Sequence, residues 1–384
     1  MRHLQHKKQE GEIKAGALIE NGCACDSALS NEINADCHCG SPSFVFLPPL
    51  VDLHVHFRVP GNPEKETVLT GSMAAKAGGY GLVCTMPNLN PAPDCLENLR
   101  VQLDLIKAEA QVEVLPFGCI TKGRKGVAPA EYEEMMPFVA GFSDDGSGVE
   151  SDEVMEECMR RIAALDGLIV THCEKGCGDD REREYTEVER NIRLAGKTGC
   201  RLHLCHISTK ESIEFIRKGK AEGVKVTCET APHYLCLSQP LVDADGPDGG
   251  RFKMNPPIGR EEDRLALVEA LKDGTIDVIA TDHAPHTEEE KSGGFAHSLN
   301  GVVGLESAFP VMYTQFVKTG IITLERLTDL MSRNGRKILR LPETDERIKV
   351  DIAHPFRIDS STFKSKGRSC PFDGMEVVGK VIWS

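Results

Sequence analysis

The sequence predicts a (β/α)8 barrel of the TIM type, with a small β domain built from both termini. Three observations carry that expectation. Eight short β-branched or apolar runs follow one another at 50–55, 82–86, 112–118, 139–143, 168–171, 202–206, 224–228 and 276–280. Helix patterns with capping signals separate them. The eight units occupy about 280 residues, the size such a barrel needs. No G-x-G-x-x-G opens the first unit, as it would in a doubly wound nucleotide-binding sheet.

Residues 1–48 read as the N-terminal part of the small β domain, with GALIENG as a strand-like piece. They also carry Cys23, Cys25, Cys37 and Cys39, two C-x-C pairs with His38 alongside. Four soft ligands can hold zinc or an iron–sulfur cluster. A spacing of one residue is tighter than the usual zinc pairs, however, and a bound metal there is not the expectation. The barrel is expected over 49–335. Gly78-Gly79 closes its first helix as a C′ glycine does. Asp94 and Glu97 form a capping-box pattern, and Leu96, Leu99, Leu103 and Ile106 mark one helix face. Ser151 caps a helix carrying Val154, Met155, Cys158, Met159 and Ile162; Ser208 with Glu211 repeats the box before Ile213 and Ile216. The stretches 238–261 and 284–303 are expected as mobile loops over the barrel mouth. Residues 336–384 complete the small β domain, with VVGKVIWS as a strand.

Composition narrows the function. The chain has 384 residues, with 45 Lys and Arg against 59 Asp and Glu, a formal charge of −14. An acidic chain does not suit nucleic acid or an anionic membrane, both of which want a basic face. No run approaches the roughly 18 apolar residues of a membrane helix. The basic start lacks the apolar segment of a secretory signal, which points to the cytoplasm. Most of the 15 cysteines sit singly in apolar stretches and read as free thiols of a reducing compartment.

Chemistry in such a barrel stands where strands end, on the C-terminal face. The first strand, PPLVDLHVHF, ends with His54 and His56, which at i and i+2 point to the same side and can share one metal. The fourth strand ends in Ser143-Asp144-Asp145-Gly146, the fifth at His172, the sixth at His206 and the eighth at Asp282. Four imidazoles and two carboxylates suit zinc and similar divalent ions. Six ligands exceed what one tetrahedral ion accepts and imply two metals about 3.5–4 Å apart, bridged by hydroxide. Asp282 is the natural proton carrier beside them. By parity His203 should face away from His206, as a packed or helix-facing residue. His3, His6, His297 and His354 lie in polar flanks or loops and read as bystanders. This much says metal-assisted hydrolysis; it does not name the bond.

The motifs DLHVHFRVPG, MPNLNPAPD, FSDDGSGV, THCE, CHISTKES, KMNPPIGREEDR and IATDHAPH occur in that order over residues 52–286. Together they resemble dihydroorotase of the amidohydrolase superfamily, a likeness continuing through GLESAFP and weakly to SKGRSCPFDG. The resemblance implies a metal-dependent hydrolase with two zinc ions per subunit. His54, His56 and Asp282 would hold the first zinc, and His172 and His206 the second. Many relatives bridge the metals with a carboxylated lysine at the end of strand four. Here that strand offers none, and the sequence resembles instead the bacterial branch in which an aspartate bridges. Asp145 matches that position, while Asp144 points the other way by parity. Arg58, Asn88 and His286 resemble groups that bind the substrate carboxylate; Asn255 resembles a ring contact, and Asn300 and Gly301 offer backbone contacts.

The implied reaction is reversible hydrolysis of the cyclic amide of dihydroorotate to N-carbamoyl-aspartate, in pyrimidine biosynthesis, with Asp282 moving the proton. A homodimer and an association with aspartate transcarbamoylase are the partners implied. The missing lysine weakens the hydantoinase, dihydropyrimidinase and allantoinase alternatives. A non-catalytic homologue that scaffolds the transcarbamoylase would be expected to lose metal ligands, and all six positions are present. Three departures stand out. SLNGVVG lacks an aromatic before its glycine, the stretch between RKILRLPE and DERIKVD is shortened, and the cysteine-rich N-terminal stretch resembles nothing in the family.

Overall fold

The structure, a computed structural model, describes residues 43–382 apart from 175, 177, 244, 245 and 247. The cysteine pairs at 23/25 and 37/39 and the GALIENG strand therefore lie outside the described residues, as do Trp383 and Ser384.

Strand β1 (Phe44–Leu47) precedes eight strands that form the barrel: β2 (Leu50–Val55), β3 (Tyr80–Thr85), β4 (Glu113–Gly118), β5 (Gly141–Ser143), β6 (Leu168–Thr171), β7 (Arg201–Leu204), β8 (Val226–Thr230) and β9 (Val278–Ile279). They lie side by side in chain order, and every adjacent pair is parallel. Closure falls between β9 and β2. There the Asp52 carboxylate accepts the Thr281 amide at 3.2 Å, and the His56 amide donates to the His283 carbonyl at 2.8 Å. These strands are buried on both faces, which is why each reads as an unbroken apolar run.

Inside the barrel Val51, Leu53, Leu82, Cys84, Phe117, Leu168, Val170, Cys205 and Val278 form one apolar cluster, joined by Ile338. Gly335 lets the C-terminal helix Asn334–Leu339 approach that cluster, because a Cβ there would meet the Val51 side chain at 2.7 Å. A more extensive apolar cluster fills the layer between the strands and the surrounding helices.

Helix boundaries follow the sequence signals in part. Ser151 caps Asp152–Ala164 by accepting from the Val154 amide, and the helix Val68–Ala77 ends at Gly78 with Gly79 at φ +93°. Two caps differ from expectation. The helix Lys210–Ala221 is capped by Thr209, because the Ser208 hydroxyl donates to Glu184. The helix Leu96–Glu109 starts at Cys95 with no side-chain cap, because the Asp94 carboxylate accepts instead from the Asn98 side chain and the Gly123 amide. In each case a tertiary partner takes the side chain that local pattern assigns to the helix.

After the barrel, β10 (Ile348–Asp351), β11 (Phe356–Arg357), β12 (Glu376–Val377) and β13 (Lys380–Ile382) complete the strands. β10 pairs antiparallel with both β1 and β13, so residues from before and after the barrel share one sheet, with Phe44 opposite Asp351 and Val350 opposite Val381. β11 and β12 form a separate antiparallel pair. The ten cysteines among the described residues are all free. No helix among them is long and apolar enough to cross a membrane.

Candidate active site

The C-terminal ends of β2, β5, β6, β7 and β9 bring six side chains together. His54 and His56 share one side of β2, as the strand period requires. His54 Nε2 stands 3.4 Å from Asp145 Oδ1 and 3.5 Å from Asp282 Oδ1. His56 Nε2 stands 3.1 Å from Asp282 Oδ1 and 3.7 Å from Asp145 Oδ2. On the other flank His172 Nδ1 and His206 Nε2 converge to 2.8 Å, at 3.7 and 3.9 Å from Asp145 Oδ1. Asp145 is thus the one carboxylate within reach of all four imidazoles. Asp144 points away, accepting from the Ile120 and Thr121 amides and the Thr121 hydroxyl.

Three of the four imidazoles are oriented from behind. His56 Nδ1 donates to Asn88 Oδ1 at 2.9 Å, and Asn88 Nδ2 lies 3.5 Å from Asp145. His54 Nδ1 lies 2.8 Å from Glu229 on β8, and His172 Nε2 lies 2.7 Å from Glu174. Both β2 histidines therefore turn Nε2 toward the two aspartates. His54 Nε2, Asp145 Oδ1 and His206 Nδ1 are buried with no hydrogen-bond partner among the described residues. Buried polar atoms rarely stay unpaired, and His54 Nε2 facing Asp145 Oδ1 in one cluster of imidazoles and carboxylates fits a bound divalent cation. Three groups of ligating side chains arise from the geometry: His54/His56/Asp145 and Asp145/His172/His206, which share Asp145, and His54/Cys205/Glu229, which meets the first through His54.

Burial alone would raise both carboxyls. For Asp282 the His54 imidazole and the hydrogen bond from His56 outweigh it and hold the group well below the usual carboxylate range. Asp145 is held down in the same way, by the imidazoles of His54, His206 and His56 around it. Both are anionic at neutral pH.

Above the cluster opens a cavity of about 140 Å³, lined by His56, Arg58, Asn88, Asp145, His172, His206, Asn255, Asp282, Asn300 and Gly301 among others. The mouth stretches 238–261 and 284–303 supply Asn255 and the Asn300-Gly301 pair. Arg58 donates from Nε to the Pro285 carbonyl at 3.2 Å and leaves its guanidinium fork over the cavity. His286 does not line it. Its Nε2 donates to the Asn300 carbonyl at 2.8 Å and its Nδ1 lies 3.1 Å from Glu290, which sets the ring behind Asn300 and Gly301 in the cavity wall. A larger groove of about 970 Å³ runs outside the barrel along the helices Asp180–Thr198 and Lys210–Ala221 and contains none of the strand-end residues.

Two departures from the sequence reading concern histidine and glutamate. His203 is packed, as expected, but not against the helices: it is fully buried with Nε2 3.0 Å from Glu229, the same carboxylate that meets His54. β7 ends at Leu204, and His206 sits at φ +33°, which swings its ring to the site in spite of strand parity. Glu229 was absent from the sequence reading. A carboxylate in the apolar run VTCET was its only signal.

Comparison with known proteins agrees with this geometry. A family model described as "Dihydro-orotase-like" matches residues 43–182. A dihydroorotase of Bacillus cereus (strain G9842) is 39% identical, the match covering 98% of this chain and 93% of that protein. One from Fusobacterium nucleatum subsp. nucleatum is 42% identical over 86% of this chain and 83% of its own. Among solved structures, L-hydantoinase (dihydropyrimidinase) from Arthrobacter aurescens superposes with a TM-score of 0.78 at 26% identity, covering 88% of this chain and 84% of that one. Near-complete coverage at such identity, together with a barrel that gathers the H-x-H pair, a lysine-free β5 end and the β9 aspartate, leaves one conclusion: the chain belongs to the dihydroorotase family.

Proposed function

We propose that this cyclic amidohydrolase opens and closes the ring of (S)-dihydroorotate, interconverting it with N-carbamoyl-L-aspartate in pyrimidine biosynthesis. The observation that carries the reading is the convergence of His54, His56, Asp145, His172, His206 and Asp282 beneath one small cavity, in a chain 39% identical to a dihydroorotase over nearly its whole length.

His54, His56 and Asp282 would hold one zinc ion, His172 and His206 a second, with Asp145 shared between them. Bound there, the metals supply an activated water and polarise the scissile carbonyl. The rest is done by the chain. Arg58 meets the substrate carboxylate with a planar fork and Asn88 adds an amide, which fixes the ring over the aspartates. His286 supports that contact from behind by holding Asn300. Asn255 and the Asn300-Gly301 backbone bound the ring edge.

Asp282, anionic at neutral pH, accepts the proton of the attacking water and delivers it to the departing ring nitrogen. In the reverse direction it takes the proton from the ureido nitrogen. Proton transfer by a placed carboxylate is worth roughly 10²–10⁴-fold. The proposal includes a homodimer and an association with aspartate transcarbamoylase.

The test is ring opening by the purified, zinc-loaded chain, with dihydroorotate, hydantoin, dihydrouracil and allantoin assayed side by side. Turnover of dihydroorotate, the ring that carries a carboxylate, with little or none of the others is the expected result. Turnover of rings without a carboxylate and none of dihydroorotate would overturn it. If the chain alone turns over none of the four, adding aspartate transcarbamoylase separates a required partner, which restores turnover, from a scaffold, which stays silent.

A further inference from the structure

Glu229 stands near the end of β8 inside the barrel, with its side chain 1% exposed, and its two oxygens are divided between two imidazoles. Oε1 lies 2.8 Å from His54 Nδ1 and Oε2 lies 3.0 Å from His203 Nε2. His203 in turn reaches Thr227 Oγ1 at 2.8 Å through Nδ1. A carboxylate removed from water persists as an anion only when charge-assisted hydrogen bonds satisfy its oxygens. Here both oxygens are engaged.

An ionised carboxylate can only accept, so the His54 proton resides on Nδ1. The Nε2 lone pair then lies on the far side of the ring, facing Asp145 and Asp282 at 3.4 and 3.5 Å, with no hydrogen-bond partner among the described residues. His56, its partner in the H-x-H pair, is held by the neutral amide oxygen of Asn88 instead. The two histidines thus differ in the acceptor behind them, and a charged acceptor makes the opposite nitrogen the stronger donor to a metal.

We propose that Glu229, braced by His203, is the positioning residue that fixes the tautomer and ring plane of His54 and thereby sets the affinity of the zinc site His54 helps to form. This rests on His54 being a zinc ligand, as proposed above. Glu229 itself touches neither substrate nor metal.

The experiment compares the full-length wild-type chain with His54→Ala, Glu229→Gln and Glu229→Asp. Zinc affinity is read by competition with a fluorescent chelator, metal geometry by the visible spectrum of the cobalt-substituted protein, and apo stability by thermal unfolding. Gln keeps the shape of Glu229 but removes its charge. Glu229→Gln is expected to weaken zinc binding 10- to 100-fold and to shift the cobalt bands. Wild-type zinc affinity in Glu229→Gln, with His54→Ala losing zinc, would overturn the proposal and leave the zinc reading standing. Apo stability that falls while zinc affinity and cobalt bands stay put marks a merely structural role and also overturns it. A wild-type chain that binds no zinc, or His54→Ala binding as tightly as wild type, would remove the zinc reading itself. Should Glu229→Gln not fold, Glu229→Asp carries the test: its shorter carboxylate withdraws from His54, and unchanged affinity overturns the proposal.

Discussion

Asp282 sits at φ +47°, in the left-handed region that a non-glycine residue seldom occupies, one residue before a histidine whose carbonyl closes the barrel. That turn is what carries its carboxylate off the line of β9 and over to His56 at 3.1 Å. Substituting Asn keeps the size and one oxygen but abolishes the base. Asp282→Asn is therefore expected to retain at least one zinc while turnover falls about 10²–10⁴-fold; metal analysis beside steady-state kinetics checks both halves, and near-normal turnover would place the base elsewhere. The positions that sequence could reveal were those obeying strand parity. His54 and His56 share a side, and Asp144 and Asp145 split, because each lies on or directly after a regular strand. Parity failed at His203 and His206 because β7 stops at Leu204 and the chain turns before His206. Glu229 was hidden for a different reason. Its meaning lies in two partners, 175 and 26 residues away, which no local pattern contains.

Among the elements, the loop from β7 into the helix Lys210–Ala221 shows how a buried carboxylate can stand in for a local cap. Glu184, on the helix Asp180–Thr198, accepts from the amides of Ser208 and Thr209 at 3.1 and 3.0 Å and from the hydroxyls of Ser208, Thr209 and Ser212. It thereby fixes the two residues that follow His206 and Ile207. Removing it leaves several buried donors unpaired, each costing about 1–3 kcal/mol. Glu184→Ala is expected to destabilise the protein by about 3 kcal/mol or more. It should also lower zinc occupancy at the His172/His206 pair, whereas Glu184→Gln, which keeps one acceptor, recovers part of each. Unfolding in denaturant and metal analysis decide it; unchanged values in the Ala variant would show that Thr209 alone holds the turn. The strands themselves were legible to within a few residues, since a strand buried on both faces must be written as an apolar run. β9 is the shortest of the barrel strands, Val278–Ile279 against an apolar run of 276–280, because the chain leaves the sheet for the turn that places Asp282. Caps were less legible, as Ser208 and Thr209 are equivalent to a pattern and only Glu184 tells them apart.

Across the whole molecule, the C-terminal segment returns from the small sheet to the barrel mouth, where two carboxylates grip residues 364–366. Glu66, fully buried after β2, accepts from the Ser365 hydroxyl and, at 3.3 Å, from the Lys366 amide, while facing His283 beside Asp282. Glu306 accepts from the Lys364 and Ser365 amides at 2.7 and 3.1 Å. The two titrate in opposite senses. Burial would raise Glu66, but His283 and the Ser365 and Thr70 hydroxyls bring it below the ordinary glutamate value. For Glu306 burial prevails over its two backbone hydrogen bonds and lifts it from 4.5 to about 7. Between those values the folded chain holds a proton on Glu306 that the unfolded chain releases, so the unfolding free energy declines as pH rises. The contribution is fully present below 4.5 and lost as pH passes about 7. Glu306→Gln keeps an oxygen for both amides and removes the charge. It is expected to match the wild type near pH 4.5 and to exceed it at pH 8, by on the order of 1–3 kcal/mol. Denaturant unfolding of both proteins at the two pH values measures the difference directly. Parallel profiles would mean that Glu306 ionises in the folded chain at no cost.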